Sequence, residues 1–390
     1  MRDRPLKLPC PVVPTDQLVL TRKQFIRSGA ALVGAPLFLQ ACSPVSGEEN
    51  YETAVRRIGR PSAPATGDNL AVRRELVRYA TLAPSSHNTQ CWKFRVEKDA
   101  VTILPDLTRR TPAVDPDDHH LYVSLGCATE NLVQAALANG LKGQPRFDAA
   151  PGGGIRVALE PTQAVASALF QAIPARQCTR AEFDGKPLST QELDLLEQAG
   201  KGDGVQLILL TDKAAMEKVL EYVVHGNSAQ MKDPAFVAEL KHWIRFGSAE
   251  AVRAGDGLYS ASSGNPSLPR WLGSMLFGMF FTEDSENVKY AKHVRSSAGI
   301  AVFVSQADEK TAQPANWIEV GRAYERFALQ AAALGIRNAF LNQPVEVKAV
   351  RPQFASYLGI GGRRPDLVVR FGRGPELPKS LRRPLAAVLV

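Results

Sequence analysis

A short run of small polar side chains after Pro84 offers the clearest chemistry in the sequence. Pro84 ends a predicted helix, and Ser85, Ser86 and Asn88 follow it directly. Hydroxyl and amide groups in such a loop can cap backbone groups, or they can bind the polar edge of a heterocyclic ligand. Flavin presents an edge of this kind. From the residues alone, a capped loop is the favoured interpretation and ligand binding is the alternative.

Histidine and cysteine residues give little indication of a metal site. His119 and His120 begin a predicted helix beside Asp117 and Asp118, but no further ligands can be named, so a solvated helix start is expected. The five cysteines form no CxxC pair and no cluster with histidine. Neither a zinc site nor a disulfide framework is therefore expected.

Two long predicted helices match each other without gaps, at one constant offset. Both are rich in small residues and both end at a glycine, which is typical of closely packed central helices. The matched positions are Gly126, Ala128, Glu130, Ala136, Ala138 and Gly140 with Gly321, Ala323, Glu325, Ala331, Ala333 and Gly335. This match predicts two related halves.

A second match has a smaller offset and predicts an insertion. Arg56 and Arg60 have the same spacing as Arg176 and Arg180, and each pair precedes a predicted helix. If both matches hold, the second half carries about 75 additional residues, which we place at about 225–292. Its segment rich in methionine and phenylalanine could form a lid over an aromatic ligand, or a helical pair that covers the core.

The loop after Pro84 resembles the signature of the nitroreductase family. Residues 83–92 have the sequence A-P-S-S-H-N-T-Q-C-W, against the family pattern A-P-S-x-x-N-x-Q-P-W, with Cys91 replacing the usual proline. Residues 173–183 are similar to the opening R-x-S-x-R-x-F element of the family. Blocks within 115–131 and 370–384 resemble the Acg-type subfamily. The resemblance extends over about residues 70–390.

The resemblance implies an α+β, nitroreductase-like fold. Two fused degenerate halves would form a pseudo-dimer around mixed β-sheets flanked by helices. Residues 69–165 would be the first half, and residues 166–390 the second half with its insertion. The A-P-S-x-x-N element occurs once, and the expected second copy at Glu197–Asp203 is absent. One FMN per chain and a monomeric protein are therefore expected.

The family's cofactor-binding residues can be carried over position by position. Arg176, Thr179 and Arg180 are expected at the FMN phosphate, because two guanidinium groups and a hydroxyl match its geometry and charge; surface arginines are the alternative. Arg370 and Arg373 are expected at the phosphate or the ribityl chain. The resemblance places the remaining candidates near the isoalloxazine ring: Ser85, Ser86, His87 and Asn88 in the signature loop, and Asn342 and Gln343 facing flavin N5.

The expected function is that of an FMN-dependent oxidoreductase of nitroreductase type. Hydride would pass from NAD(P)H through flavin N5 to a nitro- or quinone-like small-molecule acceptor. The flavin supplies the chemistry, so no catalytic side chain is assigned. NAD(P)H would dock on the flavin, because Gly359–Gly362 does not form a dinucleotide-binding motif. The alternatives are a protein that stores or sequesters FMN, and a lipid-anchored structural protein without flavin.

Residues 1–42 have the pattern of an export signal. Arg22 and Lys23 precede an apolar run of about eleven residues, Gly29–Leu39, which is too short to span a bilayer. The run ends in L-Q-A-C, similar to a lipoprotein cleavage box with Cys42 as the lipidated residue. Residues 43–68 are predicted to be a flexible linker. The protein is therefore expected to be periplasmic or membrane-anchored, and cytoplasmic if these residues are an ordinary N-terminal helix.

The positive charge of the chain does not indicate nucleic-acid binding. The formal net charge is +8, and half of it lies in residues 1–60. The remaining charge is spread over the rest of the chain and forms no basic stripe with interleaved aromatic residues. No nucleic-acid partner is expected, and contact with a membrane is expected only through a lipid at Cys42.

Overall fold

The computed structural model describes residues 50–60, 69–150 and 152–390. The export signal with Cys42 and most of the linker lie outside these ranges, so those assignments stay predictions. Within the ranges, every helix is too short or too polar to cross a bilayer. One part of the linker prediction is wrong, because Tyr51–Gly59 forms helix α1, whose Ala54 is buried in a cluster with Ala251 and Leu381.

The remaining elements follow α1 along the chain. The helices are α2 (Asn69–Ala80), α3 (His119–Ala138), α4 (Ala168–Ala172), α5 (Thr190–Gly200), α6 (Lys213–Met231), α7 (Pro234–Trp243), α8 (Ser248–Ala254), α9 (Arg270–Phe280), α10 (Glu283–Arg295), α11 (Pro314–Ala333), α12 (Gln343–Glu346) and α13 (Arg351–Tyr357). The strands are β1 (Trp92–Val96), β2 (Ala100–Pro105), β3 (Leu141–Phe147), β4 (Ile155–Pro161), β5 (Val205–Leu210), β6 (Ile244–Arg245), β7 (Leu258–Tyr259), β8 (Gly299–Asp308), β9 (Arg337–Phe340) and β10 (Arg363–Gly372).

Two four-stranded sheets have the same strand order. The first is ordered β1-β2-β4-β3 and the second β5-β8-β10-β9. In each sheet a long helix, α3 or α11, connects the second strand to the third in chain order. Strands β1 and β2 form a hairpin, and residues 97–99 join them. Residues 211–298 join the corresponding β5 and β8, a longer connection that contains the expected insertion at about 225–292.

Strand pairing in the two large sheets differs from the expected mixed pattern. Every strand pair in them is antiparallel. In the described ranges, parallel pairing is limited to the short β6–β7 pair and to single bridges at the sheet edges, Phe94 with Leu389 and Cys178 with Asn338. The family resemblance therefore predicted the α+β class but not the antiparallel direction of the strand pairing.

Helices α3 and α11 cross where each has a glycine. A Cβ atom on Gly126 would lie 2.1 Å from the carbonyl oxygen of Ile318, and one on Gly321 would lie 2.0 Å from that of Val123. Because each contact is with backbone, only glycine allows the helices to approach this closely. The two contacts are related by the same offset as the sequence match, since Gly126 and Gly321 are one of its pairs. The close packing predicted from the small residues is confirmed.

The inserted segment is bound to the second sheet and its loops by helices α6 and α10. Gly226 of α6 lies against the backbone of Gln343, where a Cβ atom would be 2.7 Å from the carbonyl oxygen. Met216 and Val223 of α6 and Val294 of α10 are buried in a core shared with β8 and β10. Helix α9, in contrast, exposes four large apolar side chains: Trp271, Met275, Met279 and Phe280.

The C-terminal segment after β10 returns to the first sheet. The backbone N–H of Phe94 donates to the carbonyl of Val388 at 2.8 Å, and that of Val390 donates to the carbonyl of Phe94 at 3.0 Å. Arg382 donates to three successive carbonyls at the end of α2, those of Thr81, Leu82 and Ala83. The tail of the chain therefore holds the residues that lead into the signature loop.

Candidate functional site

The signature loop has a strained backbone. His87, Asn88 and Gln90 have positive φ angles of 46°, 53° and 53°. Few non-glycine residues adopt this conformation, and those that do need surrounding contacts that maintain it. Residues in this conformation are often found in functional loops, so the backbone supports the signature loop as a candidate site.

Two amide side chains hold the loop in this conformation. Asn88 donates to the carbonyls of Gly257 at 2.9 Å and Leu381 at 3.1 Å. Gln90 donates to the carbonyl of Gly255 at 2.8 Å and accepts from the backbone N–H of Arg383 at 2.9 Å. The loop is thus joined to the inserted segment and to the C-terminal tail. The Asn88 amide, expected at a flavin ring, donates to protein backbone.

A cavity of about 80 Å³ lies beside the loop. Its lining includes Ser85 and Asn88 from the loop, Cys178 and Arg180 from the segment after α4, and Leu258 from the insertion. Pockets for drug-sized ligands hold about 300–1,000 Å³. A ligand as large as a flavin therefore requires the lining to open.

Arg180 is the sequence-predicted arginine that remains available at this cavity. It makes no hydrogen bond and no ion pair with the part of the chain that the structure describes.

Burial lowers the pKa of His87 to about 4, and the positive charge of Arg180 contributes. His293 of α10 has its pKa lowered to about 3, chiefly by burial and then by Arg370. Both imidazoles are therefore neutral near pH 7.

Arg176 also lines the cavity, but its guanidinium has a partner. Its Nε lies 3.2 Å from Oε1 of Glu325, with both side chains almost completely buried. It also donates to the carbonyl of Leu82 at 2.7 Å. Burial raises the pKa of Glu325 to about 7, and Arg176 opposes that rise. The predicted phosphate role of Arg176 therefore competes with an ion pair to α11 and a hydrogen bond to the residue before the signature loop.

Arg370 positions the segment that carries Arg180. One terminal nitrogen donates to the carbonyls of Thr179 at 3.1 Å and Ala181 at 2.7 Å, on either side of Arg180. The other donates to the carbonyl of His293 at 3.3 Å. Burial lowers the pKa of Arg370 to about 10. With its donors on backbone oxygens, Arg370 is a positioning residue and not the expected phosphate ligand. The buried Thr179 hydroxyl has no hydrogen-bond partner within the described part of the chain.

Other predicted residues lie outside the cavity lining. Arg373 forms an ion pair with Glu192 and is partly exposed, so the structure separates it from the other candidates. The Ser86 hydroxyl lies 3.5 Å from that of Thr111. Gln343 donates to the hydroxyl of Tyr290 at 2.5 Å and so connects α12 to the insertion.

The start of α3 differs most from expectation. His119 and His120 are buried, not solvated. Nε2 of His119 is 3.0 Å from Oδ1 of Asp366, and Nε2 of His120 is 3.4 Å from the amide nitrogen of Asn342. Burial lowers the pKa of His120 to about 3. Sequence reasoning missed this cluster because its partners belong to the second half of the chain, far from α3 in the sequence.

Tyr290 and His293 were also missed. Both belong to α10, a polar helix whose sequence contains no recognisable motif. Arg180 contributes to the electrostatic environment of each. The only available signal was their place in the predicted insertion, which indicated a cover for the site but no particular residue.

Relatives of this chain are distant in sequence. No family model matches the chain. A protein of Mycobacterium tuberculosis named "Putative NAD(P)H nitroreductase Rv3131" is 26% identical over 330 residues, covering 81% of this chain and 90% of the relative. Another from that organism, "Putative NAD(P)H nitroreductase acg", is 23% identical over 337 residues, covering 81% and 95%. The chain is a distant homologue of these proteins.

Solved nitroreductase structures are similar to part of this chain. A crystal structure of the FMN-dependent nitroreductase NfnB from Mycobacterium smegmatis in complex with NADPH matches with a TM-score of 0.38 and 13% identity, over 56% of this chain and 96% of that one. A nitroreductase with bound FMN from Desulfitobacterium hafniense matches with a TM-score of 0.36 and 14% identity, over 56% and 95%. Scores this low do not decide the function, which rests on the geometry of the site itself.

Proposed function

We propose that this protein is an FMN-dependent oxidoreductase of nitroreductase type, in which one flavin binds between two fused halves. The observation that carries the proposal is the guanidinium of Arg180, which has no partner in the described ranges and lies beside the strained signature loop. A partly buried cation without a counter-ion is costly unless an anionic ligand approaches it. The names of the distant homologues support the same class of reaction.

Two structural features support the proposed pair of halves, residues 69–165 and 166–390. The sheets share one strand order, and the glycine contacts between α3 and α11 are reciprocal at a constant offset. A fused pseudo-dimer accounts for both. It also accounts for a single site, because the strained loop belongs to the first half and Arg180 to the second.

The donor set fits a phosphate. Arg180 would bind it through a charge-assisted hydrogen bond, and the Thr179 hydroxyl, without a partner among the described residues, would be a second donor. Ser85 lines the same cavity and would face the bound cofactor. FMN, when bound, supplies hydride transfer between NAD(P)H and a nitro- or quinone-like acceptor. Arg370 keeps Arg180 in place, whereas the neutral ring of His87 is buried outside the cavity lining.

Sequestration of FMN is the second candidate. The small cavity and the contacts of the insertion favour it, because Leu258 lines the cavity and Tyr290 binds Gln343. A cover that opens slowly would retain a flavin and keep NAD(P)H from it. The two candidates share the binding site and differ in access to it.

Anaerobic reduction distinguishes the candidates. The purified full-length protein is expected to contain one FMN per chain, and adding NADPH without oxygen should bleach the visible flavin absorbance within minutes. Retained flavin that NADPH does not bleach, but dithionite does, would support sequestration and reject the oxidoreductase. A colourless protein that takes up no added FMN would reject both and favour a structural role.

A further inference from the structure

A cluster of buried ligand-type side chains lies at the start of α3, outside the proposed flavin site. Asp115, His119 and His120 each bring one nitrogen or oxygen atom within 4.8 Å of the atoms from the other two. Glu346 of α12 faces the same imidazole, with Oε1 3.9 Å from Nδ1 of His120. These residues come from two distant segments of the chain, so the tertiary structure assembles the cluster.

The distances within the cluster do not fit direct hydrogen bonds. Nδ1 of His120 lies 4.0 Å from Oδ1 of Asp115 and 3.9 Å from Oε1 of Glu346. Hydrogen bonds between nitrogen and oxygen have lengths of about 2.7–3.2 Å. Metal–ligand bonds of about 2.0–2.2 Å in a tetrahedral site would place neighbouring ligand atoms roughly 3.4 Å apart. The observed spacing is within reach of a shared ion after a small contraction.

The contact between His119 and a carboxylate is typical of metal-binding histidines. Nε2 of His119 lies 3.0 Å from Oδ1 of Asp366, and its buried Nδ1 has no hydrogen-bond partner among the residues that the structure describes. A carboxylate that accepts the proton of one imidazole nitrogen leaves a lone pair on the other, which is the usual support for a metal-binding histidine. His120 is 6% exposed, and its Nδ1 is likewise without a hydrogen bond in the described ranges.

Local charges favour a cation. Asp115 and Glu346 have no lysine or arginine within ion-pair distance in the part of the chain that the structure describes. The arginines nearby have their own partners, Arg364 with Asp117 and Arg351 with Glu309. The backbone N–H groups of His120 and Leu121 donate to Asp115, and Gln230 donates to Glu346, so both carboxylates have hydrogen bonds. Within the described ranges neither has a lysine or arginine to balance its charge, which a metal ion would do.

We propose that Asp115, His119, His120 and Glu346 form a binding site for one divalent transition-metal ion. Two imidazoles and two carboxylates suit borderline ions such as Zn²⁺, Mn²⁺ or Fe²⁺ better than Ca²⁺, which takes oxygen ligands. The ion would join the N-terminus of α3 to α12, and so connect the helix of the first half to a loop of the second. This proposal does not depend on the proposed redox function.

Zinc uptake by the full-length protein tests the site. After equilibrium dialysis against ZnCl₂, elemental analysis should find one bound Zn²⁺ per chain of wild type. The variants His120→Ala and Glu346→Gln should bind zinc at least tenfold more weakly. His225→Ala, which changes an exposed histidine of α6, is the matched control and should bind as wild type does. Thermal unfolding should show zinc stabilising wild type and the control, but neither site variant.

A gain-of-affinity variant guards against misfolding. Asn342 lies 3.4 Å from Nε2 of His120, and an imidazole bound through Nδ1 carries its proton on Nε2. Asn342→Asp would accept that proton and should tighten zinc binding, by roughly tenfold as for other supporting carboxylates. No zinc uptake by wild type, or equal uptake by wild type and His120→Ala, overturns the proposal. A water molecule held between the same groups would give the first of these results.

Discussion

At the scale of single residues, chemically alike side chains have different roles in this protein. Arg176 and Arg180 are neighbours in the sequence, and both were expected to bind a phosphate. The structure leaves Arg180 unpaired within the described ranges and gives Arg176 the carboxylate of Glu325. Arg370 and Arg373 diverge in the same way, since one holds a loop through buried carbonyl contacts and the other pairs with Glu192 near the surface.

Replacing Arg180 should remove flavin without unfolding the protein. Arg180→Ala deletes the proposed phosphate ligand but breaks no hydrogen bond or ion pair in the described ranges. We expect FMN retention to fall at least tenfold with little change in the melting temperature, measured by flavin content after gel filtration and by calorimetry. Arg373→Ala is the matched control and should keep its flavin. Full flavin occupancy in Arg180→Ala would contradict the assignment.

Replacing Arg176 should instead destabilise the fold. Arg176→Ala leaves Glu325 buried and unpaired, which costs about 3–5 kcal/mol when one partner of a buried pair is removed. Because burial raises the pKa of Glu325 to about 7, this carboxyl takes up a proton below that pH, and the loss should be smaller at pH 5 than at pH 8. Urea unfolding of wild type and Arg176→Ala at pH 5 and pH 8 measures this loss of stability.

The double variant provides the control for that experiment. Arg176→Ala with Glu325→Gln removes both charges, so it should recover part of the stability lost at pH 8. If the single variant unfolds like wild type at both pH values, the pair does not contribute to stability as inferred.

At the scale of elements, glycine determines how the two central helices pack. Gly126 and Gly321 each lie against the backbone of the opposite helix, so α3 and α11 cross closely over one extended core. The helix C-termini follow the local rule, with Gly140 and Gly335 in the left-handed conformation at φ of 71° and 69°. One pair of glycines therefore ends the two helices, and another pair allows them to cross closely.

A single methyl group at the crossing should be destabilising. Gly126→Ala would place Cβ 2.1 Å from the Ile318 carbonyl oxygen, and overpacking of this kind costs about 1–3 kcal/mol. Gly278→Ala in α9 meets nothing within 4 Å and should be neutral or stabilising by up to about 1 kcal/mol, through helix propensity. Chemical denaturation compares the two, and equal effects would show that the crossing is not tightly packed.

At the scale of the whole molecule, remote segments converge on the signature loop. The insertion contributes the carbonyls of Gly255 and Gly257, and the C-terminal tail contributes that of Leu381 together with Arg382 and Arg383. These contacts maintain the positive φ angles of the loop together with its own hydrogen bond from the Gln90 N–H to the Ser85 hydroxyl. The site therefore depends on parts of the chain that are remote from the loop in sequence.

Removal of the tail should release the loop. A chain that ends at residue 375 loses the carbonyl of Leu381 that Asn88 contacts and the backbone bonds of Val388 and Val390 to Phe94. We expect loss of FMN and rapid proteolytic cleavage within residues 83–90, which mass spectrometry of the fragments would detect. Glu376→Ala changes only an exposed ion pair with Arg337 and should behave as wild type. A truncated protein with full flavin and an uncut loop would contradict this role of the tail.

Local sequence patterns were sufficient for several features of this protein. Small apolar residues and terminal glycines predicted α3 and α11, and the two sequence matches together predicted an insertion in the second half. These patterns are informative because helix ends, hairpins and small-residue packing depend on neighbouring residues. The signature pattern likewise located the strained loop, although it did not indicate that Asn88 and Gln90 contact backbone.

The tertiary structure decided which polar groups are paired. Whether His119 and His120 are solvated depends on Asp366, Asn342 and Glu346, which all belong to the second half of the chain. Whether an arginine is free at the cavity depends on a carboxylate from α11. Burial and pairing are properties of surfaces brought together by folding, so the sequence alone determined the elements and the candidate loop, and the packing of the two halves determined the site.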